Sequence, residues 1–130
     1  MSSSAMLLLS TLFACTFLEA KNYEEIITDA TVMFTPYVAE GGVDYWMYEF
    51  HADGTSVACN SNGNYYTPDY WIMDGDNGVT VYFGYEYEAY TFNAQASDLS
   101  YGTFTYQSST GYQMEGDYEA SQDYFPCSSR

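Results

Sequence analysis

Positive charge is almost missing from this chain: Lys21 and Arg130 are its only basic residues against 18 acidic ones, for a formal net charge of −16. With no basic patch between those two ends, nucleic-acid binding through phosphates is excluded, and so is polybasic attraction to an anionic bilayer. Histidine occurs once, as His51, and the three cysteines include no Cys-x-x-Cys pair, so the usual zinc frameworks are absent. No serine sits in a Gly-x-Ser-x-Gly elbow, and no glycine-rich loop opens a helix to cradle a phosphate. These absences predict a protein without a catalytic centre, a cofactor or a metal.

A long apolar run is also scarce. It occurs once, from Ala5 to Leu18, too short and too close to the start for a membrane span but fitting the apolar core of a secretory signal. We therefore expect a signal peptide over residues 1–20, cut after Ala20, and a single domain over residues 21–130. A second form of processing is equally open. Leu12-Phe13-Ala14-Cys15 resembles a bacterial lipoprotein signal ending before Cys15, which implies lipidation of Cys15 and an outer-membrane anchor, because Thr16 rather than Asp follows it. Either route leads to a secreted, periplasmic or outer-membrane-anchored product. Both leave Cys59 and Cys127, which in an oxidising compartment read as a disulfide.

The chain has aromatics in excess: 16 Tyr, 8 Phe and 2 Trp make up 20% of it. Flat rings pack well on a pleated, half-buried surface and favour strands. A helix is expected only at Tyr23–Ala30, where Asn22 and Glu25 form a capping-box-like start and Tyr23, Ile26, Ile27 and Ala30 share one face. From Thr31 onward the period is two. Thr31–Val38 carries Pro36, which cannot donate to a ladder and predicts an edge or bent strand. In Val43–His51, Trp46, Tyr48 and Phe50 point one way, and Asp53-Gly54 supplies a hairpin turn. Tyr65–Met73 reads as one strand interrupted by Pro68. Val79, Val81, Phe83, Tyr85 and Tyr87 read as one face across Gly84, with a bulge near Ala89 to bring Tyr90 and Phe92 into phase. Leu99–Gln107 and Tyr112–Ala120 form a last hairpin. In its second strand Tyr112, Met114, Gly116, Tyr118 and Ala120 alternate with Gln113, Glu115, Asp117 and Glu119.

Turn signals recur every 8–12 residues, the spacing of an all-β chain in meander order. The expectation is an antiparallel up-and-down meander of seven or eight strands closing into a small barrel, with a sandwich as the alternative. The inward face should comprise Trp46, Tyr48, Phe50, Trp71, Val81, Phe83, Tyr112, Met114 and Tyr118. Tyr45, Met47, Tyr82, Tyr90 and Tyr106 should face outward. Glu86 and Glu88, like Glu115, Asp117 and Glu119, read as a solvated sheet face rather than as paired catalytic carboxylates. Asp74-Gly75-Asp76-Asn77-Gly78 reads as a turn, since it lacks the EF-hand spacing.

Two segments carry a family resemblance. Trp46-Met47-Tyr48-Glu49-Phe50-His51-Ala52-Asp53-Gly54-Thr55 and Tyr70-Trp71-Ile72-Met73-Asp74-Gly75 resemble the "Trp, then Phe-x-x-Asp-Gly-Thr" and "Tyr-x-Trp-x-x-x-(Asp/Asn)-Gly" pieces of small bacterial lipocalin-like proteins, over residues 43–120. The Gly-x-Trp of a true lipocalin's first strand is replaced by Val43-Asp44-Tyr45-Trp46. The resemblance implies an exported barrel, often a lipoprotein, with an apolar interior. Two functions follow as expectations. In the first, the nine inward residues line a cavity for a small apolar ligand. In the second, a Tyr-rich outer face binds a glycan or a protein partner. Membrane association enters only through the lipid anchor, and the residues leave the oligomeric state open.

Overall fold

A computed structural model describes residues 21–39 and 41–122. The signal segment, Cys15 and Cys127 lie outside the described residues. The chain begins with a short helix, α1 (Tyr23–Ile27). Its N-cap is Asn22, whose side-chain oxygen accepts from the Glu25 N–H at 2.9 Å. This satisfies one of the orphan donors of the first turn. The helix stops after five residues, and Asp29 adopts a positive φ of 57°. The Asp29 N–H then donates to the Phe50 carbonyl at 2.7 Å, which moors the helix to the sheet.

Nine antiparallel strands follow: β1 (Thr31–Pro36), β2 (Trp46–Phe50), β3 (Ser56–Asn60), β4 (Tyr65–Tyr66), β5 (Tyr70–Met73), β6 (Gly78–Phe83), β7 (Glu86–Ala94), β8 (Tyr101–Ser108) and β9 (Gln113–Ser121). They form one sheet in the order β4-β3-β2-β1-β9-β8-β7-β6-β5. The sheet is a meander curled into a half-barrel. It has more strands than the seven or eight expected, and the barrel does not close: β4 and β5 are the two edges.

Two segments read as single strands account for the extra count. Tyr65–Met73 is cut at Pro68, so β4 and β5, consecutive in sequence, end up at opposite edges. Proline breaks a ladder because it has no N–H to give. The second cut is at Gly84-Tyr85. Phe83 pairs with Glu86, leaving a two-residue hairpin loop with Gly84 at φ 65°. Tight hairpins of this kind need a positive φ, which glycine adopts at no steric cost. The change of phase therefore lies at this turn and not in a bulge near Ala89. Tyr85 and Tyr87 are exposed, while Tyr90 and Phe92 are buried.

β1 corrects a further expectation. It is an interior strand, flanked by β2 and β9, and not an edge. Pro36 is tolerated because it is the last residue of β1, beyond Phe34, where the pairing with β2 ends. Opposite it, Gly116 lets β1 and β9 approach closely; a Cβ there would collide with the Thr35 carbonyl.

Packing divides the inside of the half-barrel into two ends. At one end Phe50, Trp71, Val79, Phe92 and Tyr118 pack solidly, with Ile27 of α1 fully buried against them. Tyr23 stacks on Phe92 at 5.6 Å between ring centroids, and Phe50 meets Trp71 at 5.2 Å. Trp71 also donates from its backbone to the Gly54 carbonyl and from Nε1 to the His51 carbonyl, at 3.1 and 2.9 Å, which pinches the open seam at this end. Phe34 lies between the ends, stacked on Tyr90 at 4.3 Å and edge-on to Phe104 at 4.9 Å. Each such aromatic pair is worth about 0.5–1.5 kcal/mol beyond its buried area.

Candidate functional site: an aromatic cavity around Glu88

The other end is hollow. A cavity of about 480 Å³ opens there, bounded by residues from every strand except β5. Its wall includes Pro36, Trp46, Tyr48, Ala58, Phe83, Glu88, Tyr106 and Met114; Asn60, Tyr66 and Glu86 also border it. Ligand pockets commonly occupy roughly 300–1,000 Å³, with an apolar wall and a few convergent polar groups.

The convergent polar group is the Glu88 carboxylate. Alternation along β7 turns Glu88, Tyr90 and Phe92 inward together. The Tyr48 hydroxyl donates to Glu88 Oε1 at 2.5 Å, Tyr90 to the same oxygen at 3.0 Å, and Tyr106 to Oε2 at 3.1 Å. Trp46 Nε1 in turn donates to the Tyr90 hydroxyl oxygen at 2.9 Å. Three strands are joined by this network, β2 through Trp46 and Tyr48, β7 through Glu88 and Tyr90, and β8 through Tyr106, and Phe34 of β1 packs against its rings. Burial, followed by the nearby Glu88 charge, holds the phenols of Tyr48 and Tyr90 well above the ordinary range. The same two causes raise Tyr106.

The nine residues expected inside fall into three groups. Trp46, Tyr48, Phe83 and Met114 line the cavity. Phe50, Trp71, Val81 and Tyr118 are buried in the core. Tyr112 is 41% exposed in the turn ahead of β9 and belongs to neither. Glu88, Tyr90 and Tyr106 reverse their expected placement, since all three point inward. The signal for β7 was present in the sequence: a turn placed at Gly84-Tyr85 puts Glu88, Tyr90 and Phe92 on one face.

Elsewhere the side chains make local contacts. His51 joins Glu49 through Nε2 at 3.3 Å and Thr55 through Nδ1 at 3.0 Å. Asp53 and Asp98 accept paired hydrogen bonds from Thr55 and Ser100, which lower both carboxyl pKa values. Among the described residues no cluster of three side chains is arranged to hold a metal ion, and no helix is long and apolar enough to cross a membrane. On the outer face, Tyr70 stacks on Tyr82 at 4.6 Å, and Tyr82 meets Tyr87 at 6.2 Å. Cys59 is fully buried on β3.

No family model matches the chain, and no curated protein or solved structure matches it either.

Proposed function

We propose that this chain is an exported, non-enzymatic binding module, lipocalin-like in architecture, whose half-barrel holds a small molecule with an apolar body. The observation that carries the reading is the hollow end: the same sheet that packs solidly around Phe92 leaves about 480 Å³ around Trp46, Tyr48, Tyr106 and Met114. A core built only for stability gains nothing from such a space, because unfilled volume forfeits dispersion contacts. Export, by signal cleavage or by lipidation of Cys15, and a Cys59–Cys127 disulfide complete the proposal on the strength of the leader and the cysteine count. The competing reading uses the outer ladder of Tyr70, Tyr82 and Tyr87. Those rings lie against one another in a short strip, whereas the cavity, open on one side, is walled by residues of eight strands.

Mass spectrometry of the protein from its own host tests these points together. Under native conditions a carried small molecule is expected. The intact mass should match a chain starting at Lys21 or a lipidated Cys15, less a pair of hydrogens for the disulfide. Filling the cavity by Met114→Trp should release the ligand. Retention by that variant would move the site to the outer tyrosines, and native protein without any ligand argues against the reading.

A further inference from the structure

We infer that the cavity is built for a cationic amine: a molecule with an aromatic or aliphatic body and a protonated amino head that docks on Glu88. The inference rests on the cavity reading above and specifies its ligand class.

The argument is an account of donors and acceptors. An ionised carboxylate offers about four acceptor positions. Tyr48 and Tyr90 fill two on Oε1, but Tyr106 alone donates to Oε2. One position on Oε2 is left, on a residue that borders the cavity. The hydroxyl protons of Tyr48, Tyr90 and Tyr106 are all committed to Glu88, and the Trp46 indole proton is committed to Tyr90. Beside these rings the wall therefore presents an acceptor, the remaining Glu88 position. Asn60, buried on β3, and the half-exposed Tyr66 on β4 are the other polar side chains with protons that border the space. To meet Glu88, an occupant must bring its own donor.

Charge leads to the same chemistry. Glu88 is half-buried, and a carboxylate partly withdrawn from water gains from a positive group that meets it. Among the described residues the basic side chains are Lys21, exposed before α1, and His51, already bonded to Glu49 and Thr55. Neither touches Glu88. An ammonium would supply the missing charge, and the rings of Trp46, Tyr48 and Tyr106 around it attract cations through their π-faces. The chain's net charge of −16 draws cations from a distance and repels anions such as fatty acids.

Isothermal titration calorimetry on the full mature protein, using three probes that share an indole body, tests this. Tryptamine carries an ammonium, tryptophol a hydroxyl and indole-3-propionate a carboxylate. A charge-assisted hydrogen bond predicts that tryptamine binds about 10- to 100-fold more tightly than tryptophol, with the carboxylate weakest. Glu88→Gln should remove that advantage and bring amine and alcohol to similar affinities while the circular dichroism spectrum is kept. Tryptophol or indole-3-propionate binding as tightly as tryptamine overturns the amine inference and leaves the cavity reading standing. An amine preference that survives Glu88→Gln also overturns it, because attraction would then come from the acidic surface at large. Should Glu88→Gln not fold, Met114→Trp takes its place, and amine binding that persists with the cavity filled has the same meaning. Failure of all three probes to bind overturns both readings.

Discussion

The two ends of the half-barrel are built from the same strands and have opposite characters. β2 contributes Phe50 to the solid end and Trp46 to the hollow one; β7 contributes Phe92 and Glu88; β9 contributes Tyr118 and Met114. A few residues of travel along each strand exchange a close-packed ring for a cavity wall. α1 makes part of the difference. Its Ile27 and Tyr23 fill the solid end, and no described helix covers the other. Stability and binding are thus divided along the strand direction, and changes at the two ends should separate them.

The largest expected effect is at the solid end. Phe92→Ala removes a fully buried ring from beneath Tyr23 and should cost about 3–5 kcal/mol, read by urea unfolding. Met114→Ala, at a half-buried position facing the cavity, should cost about 1 kcal/mol, since its side chain adjoins space already empty. Equal losses would erase the distinction between the ends.

The next effect is alkaline. The phenols of Tyr48 and Tyr90 have folded-state pKa values raised above the ordinary 10.0, first by burial and then by Glu88. A group raised in this way contributes stability that is complete below the unfolded pKa and is lost as pH climbs above it. At pH 11 these two phenols together should cost about 3 kcal/mol of stability. Tyrosinate absorbance should therefore rise in two stages, exposed rings first and the buried ones together with the loss of circular dichroism. A single stage near pH 10 with the fold intact would mean that the hollow end admits base without opening.

The smallest effect sharpens the solid end. The Ser56 hydroxyl, opposite Phe50 across β2 and β3, is buried and has no hydrogen-bond partner among the described residues. Ser56→Ala should raise stability by up to about 1 kcal/mol, because an unsatisfied buried hydroxyl carries its desolvation cost. A loss of that size, measured by thermal melting, would show that the hydroxyl has a partner after all.

The meander itself was legible in the sequence because its turns are chemically marked. Asp53-Gly54, the Asn60–Asn64 cluster and Asp74–Gly78 reverse the chain where expected, and β9 alternates as read, with Gly116, Tyr118 and Ala120 buried between exposed acids. Two errors had a common origin: period-two reasoning counts faces from a starting residue and carries any missed reversal forward. The turn at Gly84-Tyr85 lacks the Asn or Asp that marks those three, so alternation counted through it inverts the parity of β7 and puts Glu88 in water. The same count puts Tyr90 outside, whereas the structure buries it. Pro36 misled differently. A proline excludes a central position only where its missing N–H would face a partner, and at the last residue of β1 the pairing with β2 has already ended. The carboxylate network, which joins residues up to 44 positions apart, has no local signature at all.

The missing ladder between β4 and β5 has a consequence for how this architecture can vary. A closed barrel has its radius set by strand number and stagger, so any change of girth requires every pairing to be rewritten. Here the circumference is interrupted, and the gap is bridged by the connection around Pro68 and by the two Trp71 hydrogen bonds at the far end. Lengthening or shortening that connection would alter the width of the entrance without unzipping a single strand pair, so the aperture can be tuned independently of the frame that holds it.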